Sequence, residues 1–480
     1  MGWSRLRGYQ QRAALRLARR EAVGLWMAAG SGKTATALAA WAHDPRKPVL
    51  IVTRAIGRHV WPRDARWVLG EGEPVAVLWG GKSYSKTGVH RDGTYSSLER
   101  ALEAAAIVVT NYEVLGARYS ELVQVPWQYL ILDEAHELKM GYTPAPKYRD
   151  GSEKWRRYEY AKALAQVVRA RKGLIWEVTA TPVRDRRRDL YGQLAIVLPR
   201  EVGSGWSWLH RFCDARPGQW GGLDTTGESQ TDELRAFLGA HFVAETRASI
   251  ANELPPVQRD VRLVAPDRDS YAYMGGGVEE AIARAAAAKA PVAIELALEY
   301  LAQGGKVAIV TPRRALAYSV YADLVKAIGT ELPRKARGLV WHQVVTGEDE
   351  VRSRQKVANE YNSLSSYAAL VATMDSVMTS IDLHQSDGLV FLSVPYTPYA
   401  VAQMEGRVGR VGGRPVTIHY LIAEGSIDER ARELVLDKLE DVAALDADTQ
   451  GAAGAGDALR MLGSEEAVLD ELRRWLDETV

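Results

Sequence analysis

Short runs of Val, Ile and Leu, continuous rather than alternating, recur between longer helical patterns at residues 48–53, 106–110, 129–132 and 174–179. A strand with one face in water alternates polar and apolar residues, whereas a strand covered by helices on both faces has no reason to. These runs therefore predict parallel strands at the centre of an α/β architecture. The rhythm breaks between about 199 and 266, where Gly, Trp, Thr and charged residues surround one helical stretch at 231–242. It resumes with runs at 306–311, 339–345, 370–373, 389–394 and 416–422. Two α/β domains are expected, at 1–200 and 266–440, joined by a helical or irregular connector at 201–265.

Residues 283–302 are alanine-rich and helical by propensity, with Pro291 as an interruption. Residues 441–480 read as a flexible linker, DADTQGAAGAGDA, followed by an acidic amphipathic helix from about 465 to 479. Lys and Arg (61) nearly cancel Asp and Glu (60), so any nucleic-acid surface has to be local. Cys213 is the one cysteine, which excludes an intrachain disulfide and a cysteine-based metal site. No apolar run approaches membrane-spanning length, and the arginine-dense first twenty residues lack the apolar core of a signal peptide. A cytoplasmic protein without a membrane partner is the expectation, with a monomer favoured.

The stretch WMAAGSGKTATAL, residues 26–38, carries the first chemical signal. A loop opening a helix presents unpaired N–H groups and the positive end of the helix dipole, and both suit a polyphosphate. Gly30 and Gly32 let the backbone approach, Ser31 lies between them, Lys33 would bridge phosphates and the Thr34 hydroxyl would ligate Mg²⁺. Met27 stands where the strict pattern has a glycine, so a plain glycine turn before a helix is the competing reading. A second signal is YLILDEAHELK, residues 129–139, where an apolar strand delivers Asp133 and Glu134 to its carboxyl end. Asp133 would hold Mg²⁺ through water and Glu134 would activate the water that attacks the γ phosphate. An acidic helix cap is the alternative there.

DEAH, as it stands at 133–136, resembles motif II of the superfamily 2 helicases, and the resemblance extends from residue 6 to about 427, closest to Swi/Snf-like ATPases with their annealing-helicase and phage relatives. LRGYQ resembles the adenine-reading Q motif, which implies adenine contact by Gln10. VLIVTRAIGRHVWPRDARW is similar to motif Ia, with Trp61 and Asp64 at the family's tryptophan and acid. VVTNYEVL matches the segment before motif II, and EVTATPVRDRRRDL matches motif III, whose Thr179 and Thr181 would couple hydrolysis to strand grip. KVAIVTPRR resembles motif IV, LVATMDSVMTSIDL motif V with Asp382 as a nucleotide contact, and QMEGRVGRVGG motif VI with Gln403, Arg407 and Arg410.

The resemblance implies two tandem RecA-like domains, ATP and Mg²⁺ as cofactors, and ATP hydrolysis with Lys33, Asp133, Glu134, Arg407 and Arg410 as catalytic residues. Arg407 and Arg410 lie three apart, which on a helix would place both on one face. Nucleic-acid contacts are expected from Arg54, Asn111, Tyr112, Arg184, Arg186, Arg187, Thr311, Arg313 and Thr373. The segment KYRDGSEKWRRYEYAK offers a second basic and aromatic surface. The implied activity is an ATP-dependent helicase or translocase on DNA, double-stranded or branched in preference to single-stranded, in a prokaryotic or phage-infected cell. A nucleotide-gated binding or regulatory subunit is the rival, and the C-terminal tail is a candidate site for a protein partner. No paired histidines or second acidic cluster suggests a nuclease.

Overall fold

The computed structural model describes residues 2–55, 57–78, 94–95, 97–139, 153–180, 182, 187–218, 222–246, 249–265, 277–379, 381–395, 397–410, 412–437 and 465–479. The chain forms two compact units that divide near Ser249 and Ile250.

The first unit is built on a sheet of eight strands: β1 (Gly24–Met27), β2 (Val49–Thr53), β3 (Val75–Leu78), β4 (Thr94–Tyr95), β5 (Ile107–Asn111), β6 (Tyr129–Asp133), β7 (Leu174–Thr179) and, far along the chain, β10 (Phe242–Glu245). Their order is β10-β1-β7-β6-β2-β5-β3-β4, and every pairing is parallel. All residues of β1, β2, β5 and β6 are buried, which accounts for the unbroken apolar runs. Each buried Val, Leu or Ile contributes roughly 1.5–3 kcal/mol, and these strands form the core together with helix residues such as Leu115, Leu164 and Leu194. A short antiparallel pair, β8 (Arg216–Pro217) with β9 (Leu223–Asp224), stands apart from the sheet.

The second unit holds six parallel strands: β11 (Val257–Val264), β12 (Lys306–Thr311), β13 (Trp341–Val345), β14 (Ala368–Thr373), β15 (Gly388–Phe391) and β16 (Val416–Ala423), in the order β11-β16-β15-β12-β14-β13. Here too the central strands β12 and β14 are buried throughout.

The expected connector at 201–265 is corrected by its hydrogen bonding. Phe242, read as the end of a helix, starts β10, which pairs with β1 in the first sheet. Residues 257–264 form β11, an edge strand of the second sheet paired along its length with β16. Its polar sequence, VQRDVRLV, reflects an edge position in which only partial burial is reached.

Pro291 splits the alanine-rich stretch into helices Val278–Ala288 and Ala290–Ala302, with the proline in the first turn of the second, where its missing N–H costs nothing. Lys289, between them, is fully buried and donates to the Leu421 carbonyl at 2.8 Å and to the Asp428 carboxylate. The C-terminal helix Glu465–Thr479 packs against helices Val278–Ala288 and Ile427–Arg432. It buries Val468, Leu472 and Leu476, and Glu471 bonds Arg430 at 2.6 Å. The apolar face of this helix thus packs on the chain's own second unit. Among the described residues no helix is long and apolar enough to cross a membrane.

Candidate nucleotide site

The carboxyl ends of β1, β2, β6 and β7 bring the first unit's motifs to one edge of the sheet, where open α/β sheets bind ligands. Met27 is the last residue of β1, fully buried and paired with Glu245 of β10. It is therefore a strand residue, which explains the departure from glycine. The turn proper lies at Gly30 and Gly32, each with φ of 81°, ahead of helix Lys33–Trp41. Gly32 is required twice over, by its left-handed backbone and because a Cβ there would strike the Gln10 amide. Gln10 is itself buried and accepts the Arg7 N–H at 2.9 Å, so the adenine-reading candidate is fixed beside the loop. Ser31 is buried, while Lys33 and Thr34 are half-buried in the first turn of the helix, where amide N–H groups lack intrahelical partners.

Asp133 ends β6 and is held from several sides. Its Oδ2 accepts the Thr53 hydroxyl at 2.7 Å and the Trp61 indole N–H at 2.8 Å, and its Oδ1 accepts the Glu134 amide at 3.0 Å. The Tyr112 hydroxyl donates to its backbone carbonyl at 2.8 Å. Burial pushes the Asp133 carboxyl pKa up and the charge of Glu134 adds to the rise, while the Trp61 and Thr53 bonds and the Lys33 ammonium oppose it. The donor set suits Mg²⁺, which keeps its waters and takes one or two protein oxygens plus substrate phosphates. Asp133 and Thr34 would supply such oxygens, and among the described residues no cluster of three or more His, Cys, Asp or Glu forms a denser cage.

Glu134 has a left-handed backbone, φ 51°, in a residue that is not glycine. Such strain costs on the order of 1–3 kcal/mol and collects at functional positions. His136 is buried, with Nδ1 3.3 Å from Glu134 Oε2 and 3.1 Å from Thr179 Oγ1. It ties the DEAH segment to the threonine that ends β7. Thr181, Arg184 and Arg186 lie outside the described residues.

Several expected nucleic-acid contacts have other employment. Tyr112 is buried beneath Asp133, and Asn111 is buried with its amide on Glu113. Arg187 is buried, bonded to Glu228 at 2.5 Å, Thr231 Oγ1 at 2.9 Å and the Ser229 carbonyl at 3.1 Å. It staples the segment before helix Thr231–His241 to the core, so its charge is not available for a phosphate. Thr311 is buried with its hydroxyl on the Arg313 carbonyl at 3.2 Å, and Thr373 shares a 2.8 Å bond with Ser376. Arg54 lies 3.5 Å from Glu137, and Arg313 is 3.0 Å from Glu280, both partly exposed. Of the second basic segment, Arg157 pairs with Glu113 at 3.3 Å, Tyr158 is buried and Tyr160 packs on Tyr119.

In the second unit, Gln403 and Arg407 lie on helix Pro398–Val408, but Arg410 follows its Gly409 cap, so the two arginines do not share a helix face. They converge all the same on one carboxylate. Arg407 Nη1 is 3.1 Å from Asp382 Oδ1 and its Nη2 donates to the Met378 carbonyl at 2.9 Å, while Arg410 pairs with the same Oδ1. Glu405, buried in the same helix, is gripped by Arg259 of β11 at 2.7 and 2.9 Å and by the Tyr420 hydroxyl at 3.0 Å.

The sequence reading missed Thr53, Glu177 and the part played by His136. Glu177 was visible as the one charge inside the apolar run LIWEVT. It is fully buried, its Oε1 accepts the Trp26 indole N–H at 2.9 Å, and burial pushes its pKa up to about 8.

The SNF2-related domain model matches residues 16–273, more than half of the chain, and the helicase conserved C-terminal domain model matches residues 291–412. The chain belongs to the SNF2-related family. It carries the family's ATPase/helicase domains, and its two parallel sheets are the cores of two RecA-like domains. The SWI/SNF-related matrix-associated actin-dependent regulator of chromatin subfamily A-like protein 1 of Xenopus tropicalis is 24% identical over 436 residues, covering 86% of this SNF2-related chain and 42% of that protein. The Drosophila melanogaster protein of the same name is 21% identical, covering 86% and 52%. The chain thus spans about two-fifths to one-half of the length of these curated relatives. Among solved structures, the DUF1998 helicase MrfA bound to DNA shares the fold, with a TM-score of 0.57, 14% identity and coverage of 91% of this chain and 51% of that one. The Xenopus and Drosophila relatives are eukaryotic, and the phage likeness has no support from them.

Proposed function

We propose that this chain is an ATP-driven motor that moves on duplex DNA. The observation that carries the reading is the Asp133 carboxylate, held by Thr53 and Trp61 and under the influence of Lys33, beside a glycine turn that opens a helix. In this reading Gln10 recognises the adenine, and the helix N-terminus with Lys33 binds the β and γ phosphates. Glu134 takes a proton from the attacking water, and His136 relays its position to Thr179. Thr34 and Asp133 would hold Mg²⁺, which would supply charge neutralisation at the phosphates. Arg407 and Arg410, as the family resemblance implies, supply the remaining positive charge to the transferring phosphoryl group. The family's double-stranded translocases, rather than strand-separating helicases, are the closer model. MrfA, the helicase that shares the fold, is likewise bound to DNA.

A triplex-displacement assay tests the translocation. A third strand annealed to a duplex should be released in the presence of ATP and retained with a non-hydrolysable analogue. Release that is equal with and without ATP would refute the motor. One observation favours a second reading, a nucleotide-gated binding module: both arginines are engaged by Asp382. Nucleotide-dependent DNA affinity without turnover would select it.

A further inference from the structure

The Asp133 carboxylate is hydrogen-bonded unevenly. Oδ2 receives two donors, Thr53 at 2.7 Å and Trp61 at 2.8 Å, while Oδ1 receives the Glu134 amide at 3.0 Å. Two bonds fill the ordinary acceptor capacity of Oδ2, and Oδ1 keeps some in hand. An indole N–H can only donate, so the role of Trp61 in this pair is unambiguous. Trp61 is fully buried in helix Gly57–Leu69, and Thr53 ends β2, so the two donors arrive from different elements. A buried carboxylate without these bonds would be free to rotate about its terminal torsion, which is broad.

We propose that Trp61, with Thr53, is a positioning residue for Mg²⁺: the two donors commit Oδ2 to the protein and so dedicate Oδ1 to the metal's water shell. The proposal deepens the nucleotide site described above and rests on it. Partners behind a metal ligand fix its orientation, and their loss costs roughly 10–100-fold in metal affinity.

The test is a MgCl₂ titration of fluorescent ATP-analogue binding by the full chain, with binding in EDTA as the baseline. Trp61→Phe keeps a large apolar ring and removes the N–H, and Thr53→Val removes the hydroxyl at nearly constant volume. Each should raise the half-saturating Mg²⁺ concentration several-fold, up to about tenfold, since the carboxylate acts through water, with EDTA binding unchanged, while Thr53→Ser stays close to wild type. If Trp61→Phe does not fold, the contrast between Thr53→Val and Thr53→Ser decides whether the donor pair acts as stated. Unaltered Mg²⁺ dependence in a folded Trp61→Phe chain overturns the inference, as does an equal loss of binding in EDTA. A wild-type chain that binds the analogue with no Mg²⁺ dependence overturns the site reading itself, a result distinct from either.

Discussion

The two carboxylates at the centre of the two motif sets are held in opposite ways. Asp133, in the first unit, is buried and fixed by neutral donors, an indole, a hydroxyl and an amide. Asp382, in the second, is partly exposed and holds two guanidiniums on one oxygen. Neutral donors from separate elements give an orientation that persists whether or not ligand is present. An ion pair that solvent can reach gives a contact for which a phosphate can compete. In the proposed mechanism the first site would be built in advance and the second held in reserve.

The sharpest break of this contrast would come from Arg407→Ala. If the reserve charge is spent on the transferring phosphoryl group, hydrolysis should fall by roughly 10³-fold or more while ATP binding persists. Retained turnover in a steady-state assay would leave Arg407 as a structural partner of Asp382. Glu134→Gln should reduce hydrolysis by about 10²–10⁴-fold and leave ATP trapped, as measured by nucleotide retained on a filter. Loss of binding instead would make Glu134 part of the built site's architecture.

Glu177 sharpens the first half of the comparison. Its pKa rises from the usual 4.5 to about 8 through burial, so the native state keeps a proton that the unfolded chain has released. The stability this gives is complete below pH 4.5 and is lost as pH climbs through 8. Urea unfolding should therefore show the wild type losing on the order of a few kcal/mol between pH 5 and pH 8. Glu177→Gln should be far flatter across that window. The smallest effect is expected from Asp382→Asn, which should lower stability by no more than about 1 kcal/mol. A loss of several kcal/mol would show that the arginine pair anchors the second unit and is not exchangeable.

The α/β class, most of the buried strands, the glycine turn before helix Lys33–Trp41 and the strand-end position of Asp133 were legible because both signals are local. Continuous apolarity marks a strand covered on two faces, and a glycine turn or a strand-end acid declares itself within a few residues. What was not legible depends on distant partners. β10 is four residues long and follows a helix without a break, and β11 is too polar to announce a strand until β16 lies beside it. Arg187 looked like a phosphate contact because nothing nearby in sequence suggests that residues 228–231 enclose it. Tyr112 failed in the same way, its hydroxyl being taken by a carbonyl 21 residues away.

The most direct test of the account is the steady-state ATPase rate of the full chain with Mg²⁺, measured with and without duplex DNA. The account predicts hydrolysis that depends on Lys33 and rises at least about tenfold when duplex is added, since a motor's turnover is tied to its track. A rate that no nucleic acid alters, or an unchanged rate in Lys33→Ala, would contradict it.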